Sequence, residues 1–168
     1  STFVCTIPFK IDMEKDGVIQ KKSQDLDLIS KGYYANELTS DFVPRLLLVE
    51  DDLIAQKIAM LHFEQKKCQV DTAMTGEEAV KKAGSCNYDL ILMDLGLPDQ
   101  DGYTTTQMIR QKEQKNKQRF APIVALTAHA DSESKKDCLE VGISRMLQKP
   151  LTSEHIDALL SDFIINRL

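Results

Sequence analysis

From Pro44 onward, short apolar runs alternate with stretches in which apolar residues recur every three or four positions. Arg45–Val49 (RLLLV), Asp89–Met93 (DLILM) and Pro122–Leu126 (PIVAL) are nearly continuous in apolar residues, as strands covered on both faces must be. Gln69–Ala73 (QVDTA) and Arg145–Gln148 (RMLQ) are more polar and suit positions nearer the sheet edges. Helical spacing fills the gaps. Ile54, Ile58 and Leu61 fall at i, i+4 and i+7, and Ala79, Val80 and Ala83 make a second stripe, with Thr75 and Glu78 in capping-box spacing at its start. A third helix is predicted from Asp101 to about Lys115 on a weak apolar stripe. A fourth starts at Asp131, presents Ser134, Cys138 and Val141 on one face and stops at Gly142; the fifth starts near Ser153 and buries Ile156, Leu159, Leu160 and Phe163. This alternation predicts an α/β protein, a (βα)5 parallel sheet wrapped by helices.

Upstream the pattern is lost. Residues Lys10–Val43 are mixed and charged without a sustained period and read as a linker, with a small apolar cluster at Tyr33, Tyr34 and Leu38. Ahead of it, STFVCTIPF (residues 1–9) reads as a lone strand.

Composition narrows the class. The 168 residues suit one core of ordinary size, and 42% hydrophobic with 28% charged is the balance of a globular chain. No apolar run approaches the roughly 20 residues needed to span a bilayer, and no signal peptide is evident, so a soluble, cytoplasmic fragment is expected. The net charge of -5 argues against a nucleic-acid surface. The basic run Lys112–Arg119 reads as a solvated helix end. Cys5, Cys68, Cys86 and Cys138 are scattered without metal-ligand spacing and are expected to be reduced thiols. His62, His129 and His155 have no partner pattern and are expected on the surface or in packing.

The chemistry gathers at the strand ends, where open parallel sheets bind their ligands. Glu50, Asp51 and Asp52 follow the first strand; Asp94, Gly96 and Pro98 the third; Thr127 and Ala128 the fourth; Lys149 and Pro150 the fifth. Carboxylates so gathered repel unless a cation fills the space, and an all-oxygen set without His or Cys favours Mg2+. Asp94, under a metal and the Lys149 ammonium, is arranged as a phosphoryl-accepting nucleophile. Asp52, Asp99 and Asp101 read more simply as helix caps or turn residues. Two rival readings fit less well. VEDDLIA lacks the Asp-x-Asp spacing of a haloacid dehalogenase phosphatase, and acids after the first strand would repel the phosphate of a flavodoxin-like nucleotide binder.

LLLVEDD, DLILMDLGLPDQDG, IVALTAHA and LQKPL, in this order and spacing, resemble the receiver domain of two-component response regulators from Pro44 to about Arg167. The resemblance implies a flavodoxin-like three-layer sandwich with strand order 2-1-3-4-5, preceded by an N-terminal extension. It implies Asp94 as phosphoacceptor, Asp51 as direct ligand of Mg2+ and Glu50 partly through water, and Gly96 lending its backbone carbonyl. Thr127 would hydrogen-bond a phosphoryl oxygen, Ala128 would leave room for it, and Lys149, before a cis Pro150, would neutralise it. Phosphorylation would be felt at Thr127 and passed to the fourth helix, fifth strand and fifth helix. Where the family carries an aromatic switch residue, three positions before the lysine, this chain has Met146.

The segment STFVCTIPF is similar to the closing strand of a histidine kinase ATP-binding domain. Together these resemblances imply residues 1–9 as the end of such a domain, 10–43 as linker and 44–168 as receiver. The implied parent is a hybrid sensor histidine kinase, a class compatible with a membrane anchor, and no membrane contact is expected of this fragment. Its kinase core would donate in cis and a histidine phosphotransfer domain would receive. The fragment would promote only its own aspartyl phosphorylation and dephosphorylation, and the alternative is a receiver that acts as an interaction module without phosphorylation.

Overall fold

The computed structural model describes residues 42–128 and 138–165. Its elements are β1 (Arg45–Val49), α1 (Leu53–Gln65), β2 (Gln69–Ala73), α2 (Gly76–Ser85), β3 (Leu90–Asp94), α3 (Gly102–Asn116), β4 (Ile123–Thr127), β5 (Arg145–Gln148) and α4 (Ser153–Phe163). The five strands form one parallel sheet in the order β2-β1-β3-β4-β5, so the predicted fold is the observed one. The assignments for residues 1–41, including the lone strand, the Tyr33–Tyr34–Leu38 cluster and nearly all of the linker, lie outside the described residues. So do Asp131 and Ser134 of the fourth helix; Cys138 is buried, and Gly142 behind it adopts φ 88°, the left-handed stop the sequence asks of it.

Strand alternation divides the core. Leu47, Val49, Ile91, Met93, Ile123 and Ala125 join Ala79, Val80, Ala83 and Ile109 on the side covered by α2 and α3. Leu46, Leu48, Leu90 and Leu92, all buried, alternate toward the side of α1 and α4, where Ala59, Phe63, Ile156 and Leu159 are buried. Asp71 in the middle of β2 accepts from Nη2 of Arg45, the first residue of β1, at 2.7 Å and from the hydroxyl of Tyr88, two residues before β3, at 2.8 Å, tying β2 to β1 and to the lead-in of β3.

Two helices differ from the pattern that predicts them. On α1 the stripe Ile54, Ile58 and Leu61 faces solvent, at 71%, 49% and 59% exposure, while Gln56, Ala59 and Phe63 face the core. Both triplets have helical periodicity, and hydrophobicity favours the wrong one. On α3 the stripe is weak because the buried face is half polar: Thr105, Thr106, Ile109 and Glu113. The Glu113 carboxylate is satisfied by Arg110 Nη1 at 2.6 Å and the Ala121 amide at 2.9 Å, so an acid can occupy a core position. On α4, Ile156 and Leu159 are buried as expected, while Leu160 and Phe163 are half-buried.

Gly102, the first residue of α3, sits against the end of β3. A Cβ there would lie 2.5 Å from the Asp94 carbonyl oxygen and 2.8 Å from Leu95 Cα, both backbone atoms that cannot swing away. Gly102→Ala is therefore expected to cost roughly 1–3 kcal/mol, read as a lower denaturation midpoint with unchanged slope. A neutral result would show that α3 can slide.

Candidate functional site

The acidic cluster is assembled at the ends of β1 and β3, which strand pairing fixes tightly. β3 is central, paired to β1 through Leu90–Met93 and to β4 through Ile91–Asp94. Asp94 is therefore the last residue of its strand rather than the first of the loop, and Thr127 likewise closes β4. β3 and β4 are each displaced by one residue from the strands the apolar runs predict, because pairing continues through the polar end. Asp94 is 5% exposed. Its Oδ1 accepts from the Gly96 amide at 3.0 Å and its Oδ2 from Lys149 Nζ at 2.7 Å.

Glu50, equally buried, pairs with the same ammonium at 2.8 Å, whereas Asp51 beside it is exposed. Carboxylate oxygens of Glu50, Asp51 and Asp94 all lie within 4.8 Å of one another. Burial pushes the Glu50 carboxyl above its ordinary value, and the Lys149 hydrogen bond and charge only partly offset this. Burial lowers Lys149, but the two carboxylates outweigh it and hold the ammonium above its ordinary value. Three carboxylates and one ammonium leave a formal charge of -2. An all-oxygen donor set with that deficit fits a hard divalent cation.

The remaining predicted residues distribute as follows. Gly96, Thr127, Ala128, Lys149 and Pro150 line one open groove of about 1000 Å³ with Glu50, Asp51, Asp52 and Asp94. A side chain at Gly96 would meet only Asp94 Oδ1, at an ordinary 3.7 Å, so the position is free to contribute backbone alone. The Lys149–Pro150 peptide is cis, and the Lys149 amide donates to the Thr127 carbonyl at 2.8 Å, tying the tips of β4 and β5. Met146 stands apart: it is half-buried in β5 and packs against the core cluster rather than lining the groove.

The neighbouring aspartates cap helices. Asp52 Oδ1 accepts from the Ile54 and Ala55 amides, and these bonds hold its carboxyl below the usual range. Asp101 caps α3 through the Thr104 amide. Asp99 reaches across the loops to the Gly76 and Glu77 amides at 2.9 and 3.1 Å, holding the β3–α3 loop to the start of α2. Thr75 caps α2 as its spacing predicts, but Glu78 returns to the Met74 amide instead of that of Thr75. His155 completes a capping box with Thr152 at the start of α4, and His62 is half-buried in the last turn of α1.

Sequence reasoning missed Gln56. Its side chain is buried under the acidic loop and Nε2 donates to the Glu50 carbonyl at 3.2 Å. The available signal was its place at i, i+3 and i+7 with Ala59 and Phe63.

Comparison with known proteins agrees with this geometry. Residues 46–161 match the family described as "Response regulator receiver domain". The chain is 36% identical over 124 residues to the hybrid signal transduction histidine kinase M of Dictyostelium discoideum, covering 73% of this chain and 5% of that protein. It is 36% identical over 125 residues to the transcription factor prr1 of Schizosaccharomyces pombe, covering 74% of this chain and 22% of that one. The chain thus spans only a minor part of these relatives. Among solved structures it resembles the receiver domain of a Pseudomonas aeruginosa sensor histidine kinase, whose structure has magnesium coordinated in the active site cleft. Identity there is 33% and the TM-score 0.65, over 73% of this chain and 98% of that one. With the sheet order, the strand-end acids and the lysine already in place, this chain belongs to the response regulator receiver domain family.

Proposed function

We propose that the chain accepts a phosphoryl group from a phosphohistidine onto the Asp94 carboxylate, with Mg2+, and passes it on in a phosphorelay. The observation that carries this reading is the position of Asp94: locked at the tip of the central strand, ion-paired to Lys149 and facing an open groove beside two further acids. An Asp94 oxygen forms the new bond to phosphorus as the bond from phosphorus to the donor imidazole breaks, and that nitrogen takes a proton. Lys149 then offsets charge on the transferred group and Thr127 donates to one of its oxygens. Glu50, Asp51, Asp94 and the Gly96 carbonyl would hold the ion. When bound it supplies charge neutralisation and orientation of phosphoryl oxygens.

The face beside the groove supports a protein donor. Ile54 and Ile58 line it, and Leu53 and Leu61 extend the apolar surface along α1. Each forgoes up to roughly 1.5–3 kcal/mol of burial energy that a partner surface can supply. A histidine kinase core, in cis, and a histidine phosphotransfer domain are the partners this reading assigns. It places residues 1–9 at the end of an ATP-binding domain, 10–43 as linker and 44–168 as receiver, in the cytoplasm. Among the described residues no helix is long and apolar enough to cross a membrane. Met146 has no ring to turn inward, so the switch would rest on Thr127 and the flexible thioether.

The direct test is mass spectrometry after acetyl phosphate treatment with Mg2+. One added phosphoryl group, absent when EDTA is present, is the expected result; no addition with any phosphohistidine donor would leave a receiver that works as an interaction module alone. Independently, Mg2+ should raise the melting temperature, because it binds the folded cluster and not the dispersed carboxylates of the unfolded chain. At a hundredfold excess over Kd the gain is about 2.7 kcal/mol. An unchanged melting curve at saturating Mg2+ would count against the ion site.

A further inference from the structure

Gln56 is the one residue on the inward face of α1 whose burial has no apolar explanation: it is 7% exposed, between the acidic loop above and Ala59 and Phe63 below. Its carboxamide donates through Nε2 to the Glu50 carbonyl oxygen at 3.2 Å. On the other side of the same residue, the Glu50 amide donates to the Ala73 carbonyl at 3.0 Å. The two peptide units flanking the Glu50 Cα are thus held from opposite directions, one by β2 and one by α1. The peptide whose oxygen Gln56 grips also carries the Asp51 nitrogen, so a turn of that plane swings the Glu50 and Asp51 side chains relative to Asp94. Asp52 holds the start of α1 through the Ile54 and Ala55 amides, which steadies the helix but leaves that carbonyl ungripped.

We propose that Gln56 is a positioning residue for the acidic cluster: its amide sets the Glu50–Asp51 peptide and through it the spacing of the carboxylates offered to a divalent cation. The inference rests on the magnesium-dependent reading above. Gln56 is absent from the groove lining, so its effect is exerted through the Glu50 backbone rather than by contact with ion or phosphoryl group. A group that only filled space would be replaceable by any side chain of its volume; a group that orients the peptide is replaceable only by one with a donor at the same reach.

Gln56→Met keeps the volume and removes the donor; Gln56→Asn keeps the amide and shortens its reach by one methylene. Both are measured in the 168-residue chain by calorimetric titration with Mg2+ alone and by melting in EDTA. For both variants the dissociation constant is expected to rise about tenfold, as when the supporting partner of a metal ligand is lost, with labelling by acetyl phosphate largely recovered at saturating Mg2+. An unchanged Mg2+ dissociation constant, in either variant that folds, overturns the proposal and leaves Gln56 a packing residue. Wild-type chain that takes up no Mg2+ would instead overturn the reading of the site itself, and the two failures are told apart by that control.

Discussion

Asp94→Asn is expected to abolish covalent labelling by acetyl phosphate or a phosphohistidine donor, with signal falling at least about a thousandfold, the scale on which removal of a nucleophile acts. The carboxamide is nearly isosteric but has no anionic oxygen to attack phosphorus. Lys149 keeps its Glu50 partner at 2.8 Å, so the ammonium stays in place and the fold survives. The charge of the cluster falls from -2 to -1 by loss of one carboxylate, so Mg2+ binding weakens as well. Labelling must therefore be compared at saturating Mg2+ for both proteins. Asp51 is the only other acid of the cluster exposed to a donor, and slow transfer to it would appear as a modified peptide containing residues 50–52. Labelling of D94N at the wild-type rate would remove Asp94 from its assigned role.

The second large effect is expected for Lys149→Met. Lys149 is the only cation paired with Glu50 and Asp94 among the described residues, at 2.8 and 2.7 Å, and both acids are buried. Taking away one partner leaves like charges facing each other without the ammonium, and breaking such a buried pair costs roughly 3–5 kcal/mol. Because the Lys149 side chain is itself 28% exposed, the lower part of that range applies. One carboxyl can relieve the strain by taking a proton, so the deficit should shrink on acidification. Mg2+ should restore more stability to this variant than to the wild type, since it replaces a lost counter-charge as well as binding. Labelling, by contrast, should remain depressed by about a hundredfold at saturating Mg2+, as for removal of one preorganised charge-stabilising donor. A variant with wild-type stability in EDTA would mean that Lys149 is a bystander.

Much of this site was legible because polar residues that end apolar runs have few structural excuses. Glu50, Asp94, Thr127 and Lys149 each close or follow a strand of a parallel sheet, and topology alone brings such ends together. The cap readings of Asp52, Asp99 and Asp101 also stand, but the partners of Asp99 did not follow from its position, because Gly76 and Glu77 are more than twenty residues away. The orientation of α1 was illegible for a different reason. Hydrophobicity marks Ile54, Ile58 and Leu61 as inward, yet all three are exposed among the described residues, and the inward face spends a position on Gln56. In α3 the weak stripe concealed a real core face, because Glu113 is made compatible with burial by partners supplied elsewhere.

β3 is bonded along both edges, and Asp94 is its final residue. Amide protons in such a strand are released only when the whole domain opens, so its backbone has no low-lying alternative arrangement in which to store a message. On the proposed reading, the residue that takes the chemical mark is thus mounted on a strand held along both of its edges. News of the mark must leave through side chains and loops at the rim, and a hydrogen-exchange map of the modified protein should brighten there while the strand stays dark.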